Sequence, residues 1–147
     1  MNVVTNNRAS LRVLVYSSNA QTRWQIIGSL GPQPRADLPN IDYLEAATGP
    51  TVIGLVDAGN VDLAILDGEA TPAGGIGVAK RLRDEVALCP PILVLTGRPD
   101  DAWLANWSQA DAVVSHPIDP IQFAQKALTL LRTRCETAGY PSAAASR

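Results

Sequence analysis

Asp67 closes the run Val61-Asp62-Leu63-Ala64-Ile65-Leu66-Asp67, and a carboxylate at the end of a buried strand can act as a nucleophile toward phosphorus. Other apolar runs also end on polar groups. Ser17, Ser18 and Asn19 follow Leu11 to Tyr16, Thr96 and Gly97 follow Ile92 to Leu95, and Ser115 and His116 follow Ala112 to Val114. Hydroxyls, an amide and an imidazole gathered around one carboxylate form a candidate pocket. The quieter reading is a loop carboxylate that accepts hydrogen bonds from Ser17 or Ser18, with His116 paired beside it.

Competing chemistries lack their signatures. Ser18 near His116 and Asp67 invites a hydrolase triad, but nothing resembles a nucleophile elbow or an oxyanion loop. Gly74-Gly75-Ile76-Gly77 lacks the spacing and the Lys-Ser/Thr pair of a phosphate loop, and Ser17-Ser18-Asn19-Ala20 stands where a dinucleotide fingerprint would begin. Cys89, Cys135 and the single histidine offer no metal-ligand spacing. No cofactor and no metal are expected.

The elements that must position these groups alternate. Branched apolar runs at Leu11–Tyr16, Ile41–Ala46, Leu63–Leu66, Ile92–Leu95 and Ala112–Val114 read as strands, with helices predicted over Ala20–Leu30, Pro50–Ala58, Ile76–Leu88, Asp101–Gln109 and Pro120 to about Thr133. Asn19 is the expected cap of the first helix, whose stripe reads Trp24, Ile27 and Leu30, and Asp119-Pro120 opens the last. Trp24 is expected to pack in the core or at its edge. Connections this long imply parallel pairing, and the Leu63–Leu66 run is apolar enough to be covered on both faces. The fold class is α/β: a doubly wound (βα)5 flavodoxin-like parallel sheet, order 2-1-3-4-5, with helices on both faces. Such a sheet gathers its functional groups beyond the carboxyl ends of its strands.

With 147 residues, a net charge of -2 and 46% hydrophobic residues, the chain fits one domain, predicted over residues 11–134 between flexible segments 1–10 and 135–147. Near-neutral charge with scattered Lys and Arg argues against a nucleic-acid surface, and no stretch approaches the roughly 20 apolar residues of a membrane span. A cytoplasmic protein is expected, reaching the cytoplasmic side of the cell membrane only through a protein complex.

From Leu11 to Leu131 the chain resembles the receiver (CheY-like) domain of bacterial response regulators, on Leu14-Val15-Tyr16-Ser17-Ser18-Asn19, Leu66-Asp67-Gly68-Glu69-Ala70-Thr71-Pro72, Leu95-Thr96-Gly97 and Ser115-His116-Pro117. The resemblance implies a phosphoryl acceptor at Asp67 and a phosphate-contacting hydroxyl at Thr96. It also exposes departures. Ser17 and Ser18 stand in place of the acidic pair that helps hold Mg²⁺, and Asn19 adds only a neutral amide. Glu69 has a family counterpart that usually contributes a backbone carbonyl. His116 replaces a lysine, with shorter reach and without permanent charge, and Val113 replaces the switch aromatic.

These departures predict a degenerate phosphoacceptor pocket of Asp67, Ser17, Ser18, Thr96 and His116. The chain is then a non-enzymatic, phosphorylation-independent docking module, acting on a protein partner in trans because no effector domain follows the last helix. The candidate interface is Trp103, Trp107, Arg98 and Val113. Trp103 and Trp107, four apart, share a helix face, and tryptophan is favoured as an interface anchor. The proline-bearing loop Gly31 to Asn40 is a further rim. Within the family, the chain looks closest to orphan actinobacterial receivers, which implies the cytoplasmic arm of a type I NADH:quinone dehydrogenase as partner. The alternative is a stand-alone two-component response regulator with atypical phosphorylation or ligand sensing at Asp67.

Overall fold

The structure is a computed structural model that describes residues 10–70, 74–87, 89–98, 103 and 107–138. Strands β1 (Ser10–Tyr16), β2 (Asn40–Ala46), β3 (Leu63–Asp67), β4 (Ile92–Thr96) and β5 (Ala112–Ser115) form one sheet in the order β2-β1-β3-β4-β5. Every pairing is parallel, with Tyr16 opposite Leu66, Asp67 opposite Leu95 and Thr96 opposite Ser115. Helices α1 (Ala20–Leu30), α2 (Gly49–Asp57), α3 (Gly75–Glu85) and α4 (Pro120–Ala138) connect or follow these strands.

The period of two along each strand divides the core into two layers. Leu11, Val13, Val15, Leu63, Ile65, Leu93 and Leu95 meet Ile26 and Leu30 of α1 and Phe123, Ala127 and Leu131 of α4. Leu14, Tyr16, Ala64, Leu66, Ile92 and Val94 meet Val52 and Val56 of α2 and Val78, Ala79 and Leu82 of α3. Both layers are apolar, which explains why β3 and β4 read as unbroken hydrophobic runs.

Local chemistry fixes the helix ends. Asn19 Oδ1 accepts from Gln21 N at 2.8 Å as the expected cap of α1, and Gly31 ends that helix at φ 69°, a conformation that suits a residue without Cβ. Thr48 caps α2, which therefore begins at Gly49, with Pro50 in its first turn. Asp119 Oδ1 accepts from Ile121 N at 3.0 Å where α4 opens on Pro120.

Trp24 departs from expectation: it is 62% exposed. Ile26 and Leu30, one turn apart, define the inward stripe of α1, and Trp24 lies two positions before Ile26, about 200° around the helix. Helix α3 stops at Glu85, three residues early, whereas α4 continues past Thr133 to Ala138 and buries Cys135 against the first core layer. The helix expected over 101–109 falls largely outside the described residues; Trp103 and Trp107 have helical backbone and are 65% and 55% exposed. Among the described residues, no helix is long and apolar enough to cross a membrane.

At the amino-terminal end of the sheet, remote from the polar strand ends, buried Asp62 accepts from Arg12 N at 2.9 Å and from Arg134 Nε at 3.1 Å. This ties β1, the lead into β3 and the far end of α4 together.

Candidate active site

Parallel register places the end of β3 between the ends of β1 and β4, and so sets Asp67 beside Ser17 on one side and Leu95 on the other. Asp67 is 3% exposed. The fully buried Ser17 donates its hydroxyl to Asp67 Oδ2 at 2.8 Å, and Ser17 Oγ in turn accepts from Asn19 N at 3.0 Å. Asp67 Oδ1 accepts from Glu69 N at 2.9 Å and lies 3.2 Å from His116 Nε2. A buried carboxylate is costly unless its oxygens are met by donors, and here three different elements supply them.

Backbone economy brings these elements close. A Cβ on Gly75 would stand 2.7 Å from the Asp67 carbonyl, so the glycine lets α3 begin directly against the end of β3. Gly68 N donates to Leu95 O at 2.6 Å, and a Cβ there would meet that same carbonyl. On the β4 side the Glu69 carboxylate sits over Gly97, filling the space a Cβ would need.

An open cleft of about 270 Å³ lies above Asp67, lined by Ser18, Asn19, Thr22, Glu69, Gly97 and His116. Thr96 is buried, and its Oγ1 is 3.1 Å from Ser115 Oγ. His116 N donates to Thr96 O at 2.8 Å, which seats the imidazole over Asp67, and the following His116–Pro117 peptide is cis. Tyr16 sits directly before Ser17; burial pushes its phenol up, and the negative charge of Asp67 adds to the effect.

The pocket residues expected from sequence thus converge on one strand-end cluster: Ser17 and His116 contact Asp67, Ser18 lines the cleft, and Thr96 is turned toward Ser115. Sequence reading missed Thr22, one helical turn beyond Ser18, and Arg23, whose Nη1 donates to Ser17 O at 2.7 Å while its Nε pairs with Glu45 at 2.9 Å. The helical spacing from Ser18 could have flagged Thr22; the Glu45 pairing needs the β1–β2 register. The four candidate interface residues occupy several elements. Lys80 Nζ lies 5.9 Å from the centroid of the Trp107 ring, Arg98 is exposed beyond β4, and half-buried Val113 accepts at its carbonyl from Lys126 Nζ at 2.6 Å.

The donor set does not suit Mg²⁺. A hard cation seeks several anionic or carbonyl oxygens, yet the β1 end offers serine hydroxyls and an amide. Among the described residues no group of three His, Cys, Asp or Glu could hold a metal ion.

No family model matches the chain. It is 59% identical over 127 residues to an uncharacterized response regulatory protein of Mycobacterium tuberculosis strain H37Rv, covering 86% of this chain and 96% of the relative, and its counterpart from strain CDC 1551 / Oshkosh matches equally. Among solved structures, the Francisella response regulator 1452 receiver domain superposes with a TM-score of 0.70 at 18% identity, covering 84% of this chain and 98% of that one. The receiver domain of the putative response regulator NarL from M. tuberculosis gives 0.69 at 19% identity, covering 84% and 97%. The chain belongs to the response regulators and has the receiver fold.

Membership corrects the expectation of a non-enzymatic chain. At 59% identity over 127 residues the chain is a response regulator, a family whose receivers normally carry phosphotransfer activity. The comparisons support a receiver interaction module and contain nothing that links it to an NADH dehydrogenase.

Proposed function

We propose that this chain is a receiver module in which Asp67 takes a phosphoryl group through an altered set of neighbours and conveys the change to a protein partner. The observation that carries this reading is Asp67 itself, buried at the end of β3 between the Ser17 hydroxyl and the His116 imidazole. A carboxylate oxygen of Asp67 attacks phosphorus, an Asp67 O–P bond forms, and the donor's bond to phosphorus breaks with its electron pair leaving on the donor. The Glu69 N–H and the Ser17 hydroxyl hold the carboxylate in one orientation, and preorganised donors of this kind cost no reorganisation as charge develops. His116 stands where it can meet the incoming phosphoryl oxygens.

Output follows from Thr96. Its hydroxyl is engaged with Ser115, so drawing it toward a phosphoryl oxygen frees Ser115 and alters the β4–β5 edge near Val113. The exposed Trp103 and Trp107 supply an anchor for the partner. The NADH:quinone dehydrogenase arm is one such partner; support for it is the resemblance alone, and co-purification of dehydrogenase subunits is the measurement it needs. For the acceptor itself, the test is phosphotransfer from an autophosphorylated histidine kinase. Transfer to the wild type and none to Asp67→Asn supports the reading, and transfer to neither removes it.

A further inference from the structure

We infer that phosphoryl transfer to Asp67 proceeds without a divalent cation, the Ser17 hydroxyl and the Arg23 guanidinium holding the positions on the β1 side that a cation and its ligands would need. This rests on the reading of Asp67 as acceptor.

Three observations carry it. First, Asp67 Oδ2 is already met by a fully buried hydroxyl that is itself fixed by Asn19 N, so a cation binding this oxygen must expel Ser17 from a satisfied position. Second, the oxygens nearby on the β1 side are committed. Asn19 Oδ1 caps α1 through Gln21 N, and the Ser17 carbonyl accepts from Arg23 Nη1 at 2.7 Å. Third, that guanidinium is a fixed positive charge one residue from the acceptor, oriented by Glu45 and mostly withdrawn from solvent. Paired with Glu45 it adds little net charge, but it keeps the Ser17 carbonyl from serving a cation. The remaining carboxylate of the cleft, Glu69, lies on the opposite side over Gly97.

The chemistry balances without a metal. With phosphoramidate as donor, an Asp67 oxygen bonds to phosphorus as the P–N bond breaks. The nitrogen, protonated as –NH₃⁺ in the donor, leaves with that electron pair as ammonia and keeps its three protons. Developing charge on the phosphoryl oxygens meets His116 and the local N–H groups.

The test uses the full chain. Phosphoramidate labelling is followed by intact-protein mass spectrometry in EDTA and in Mg²⁺, and Mg²⁺ and Mn²⁺ binding is measured by titration calorimetry. The expected result is labelling whose rate differs by less than about twofold between the two conditions, and no metal binding at millimolar concentration, as a cleft without a carboxylate on its β1 side requires. The Ser17→Asp/Ser18→Asp double variant should gain at least about tenfold in Mg²⁺ affinity, since it restores hard anionic donors. A rate raised about tenfold or more by Mg²⁺ would overturn the inference and leave the acceptor reading standing, because that is the scale of an electrostatic contribution to transfer. Tight Mg²⁺ binding by the wild type would do the same, whether or not the double variant folds. Absence of labelling in both conditions would overturn the acceptor reading and this inference together.

Discussion

Ser17 and Asp67 stand 50 residues apart in sequence and are joined by a 2.8 Å hydrogen bond in which the serine hydroxyl donates to the carboxylate. Both are buried, so the bond is the β1 contribution to holding the Asp67 carboxylate in place. Replacing Ser17 by Ala leaves Oδ2 without this donor and should cost about 1–3 kcal/mol, the scale of an unsatisfied buried polar group. Ser18→Ala, at an exposed position, should change stability by less than about 0.5 kcal/mol. Urea denaturation of the two variants distinguishes them.

The glycines of the β3–α3 region make opposite predictions. Gly75→Ala sets a Cβ against the Asp67 carbonyl, a backbone group with nowhere to move, and should destabilise by about 1–3 kcal/mol while slowing phosphoryl uptake. Gly77, in the same helix, faces open space, and Gly77→Ala should stabilise by about 0.5–1 kcal/mol by reducing the freedom of the unfolded chain. Thermal melts and phosphoramidate labelling of both variants test the pair.

Burial separates two ion pairs. Asp62 is buried and serves both Arg12 N and Arg134, so Asp62→Ala should cost about 1–3 kcal/mol. The exposed Arg81–Glu85 pair spans one turn of α3, and Glu85→Ala should cost no more than about 0.5 kcal/mol. Equal losses in denaturation midpoints would show that the Asp62 link does not hold β1 to α4.

The cysteines should be unreactive in the folded protein. Burial raises the Cys135 thiol, reinforced by Asp62, Asp37 and Glu136; burial also raises Cys89, with Arg83 opposing and Asp111 adding. A thiol held above its unfolded value contributes stability that is full below about pH 8.5 and is lost as pH rises through the folded value. Near neutral pH, iodoacetamide should label the native chain at least about tenfold more slowly than the unfolded one. Stability should decline on the alkaline side, an outcome that denaturation midpoints across pH would show.

Much of this arrangement is legible in sequence because it follows from periodicity. Short apolar runs covered on both faces can only be inner parallel strands, and their polar successors, from Ser17 to His116, must gather at one end of the sheet. Asn19 as a cap is legible for a local reason, its position before Ala20. Trp24 was misassigned because tryptophan's size suggests burial, while the phase of Ile26 and Leu30 turns it outward. Asp62 with Arg134 and Arg23 with Glu45 depend on which strands become neighbours and how far α4 extends, information that no local pattern holds. The expectation of a non-enzymatic chain rests on missing carboxylates, a local signal that does not decide family membership. Membership in the response regulators overturns that expectation.

The central claim is that Asp67 is the acceptor, and site mapping tests it most directly. Borohydride reduction of the phosphorylated chain converts an aspartyl phosphate to homoserine, which peptide sequencing by mass spectrometry can place. The account predicts homoserine at position 67 in the wild type and none in Asp67→Asn. Phosphate found on His116, or no reducible acyl phosphate at all after treatment with kinase and with phosphoramidate, would contradict it.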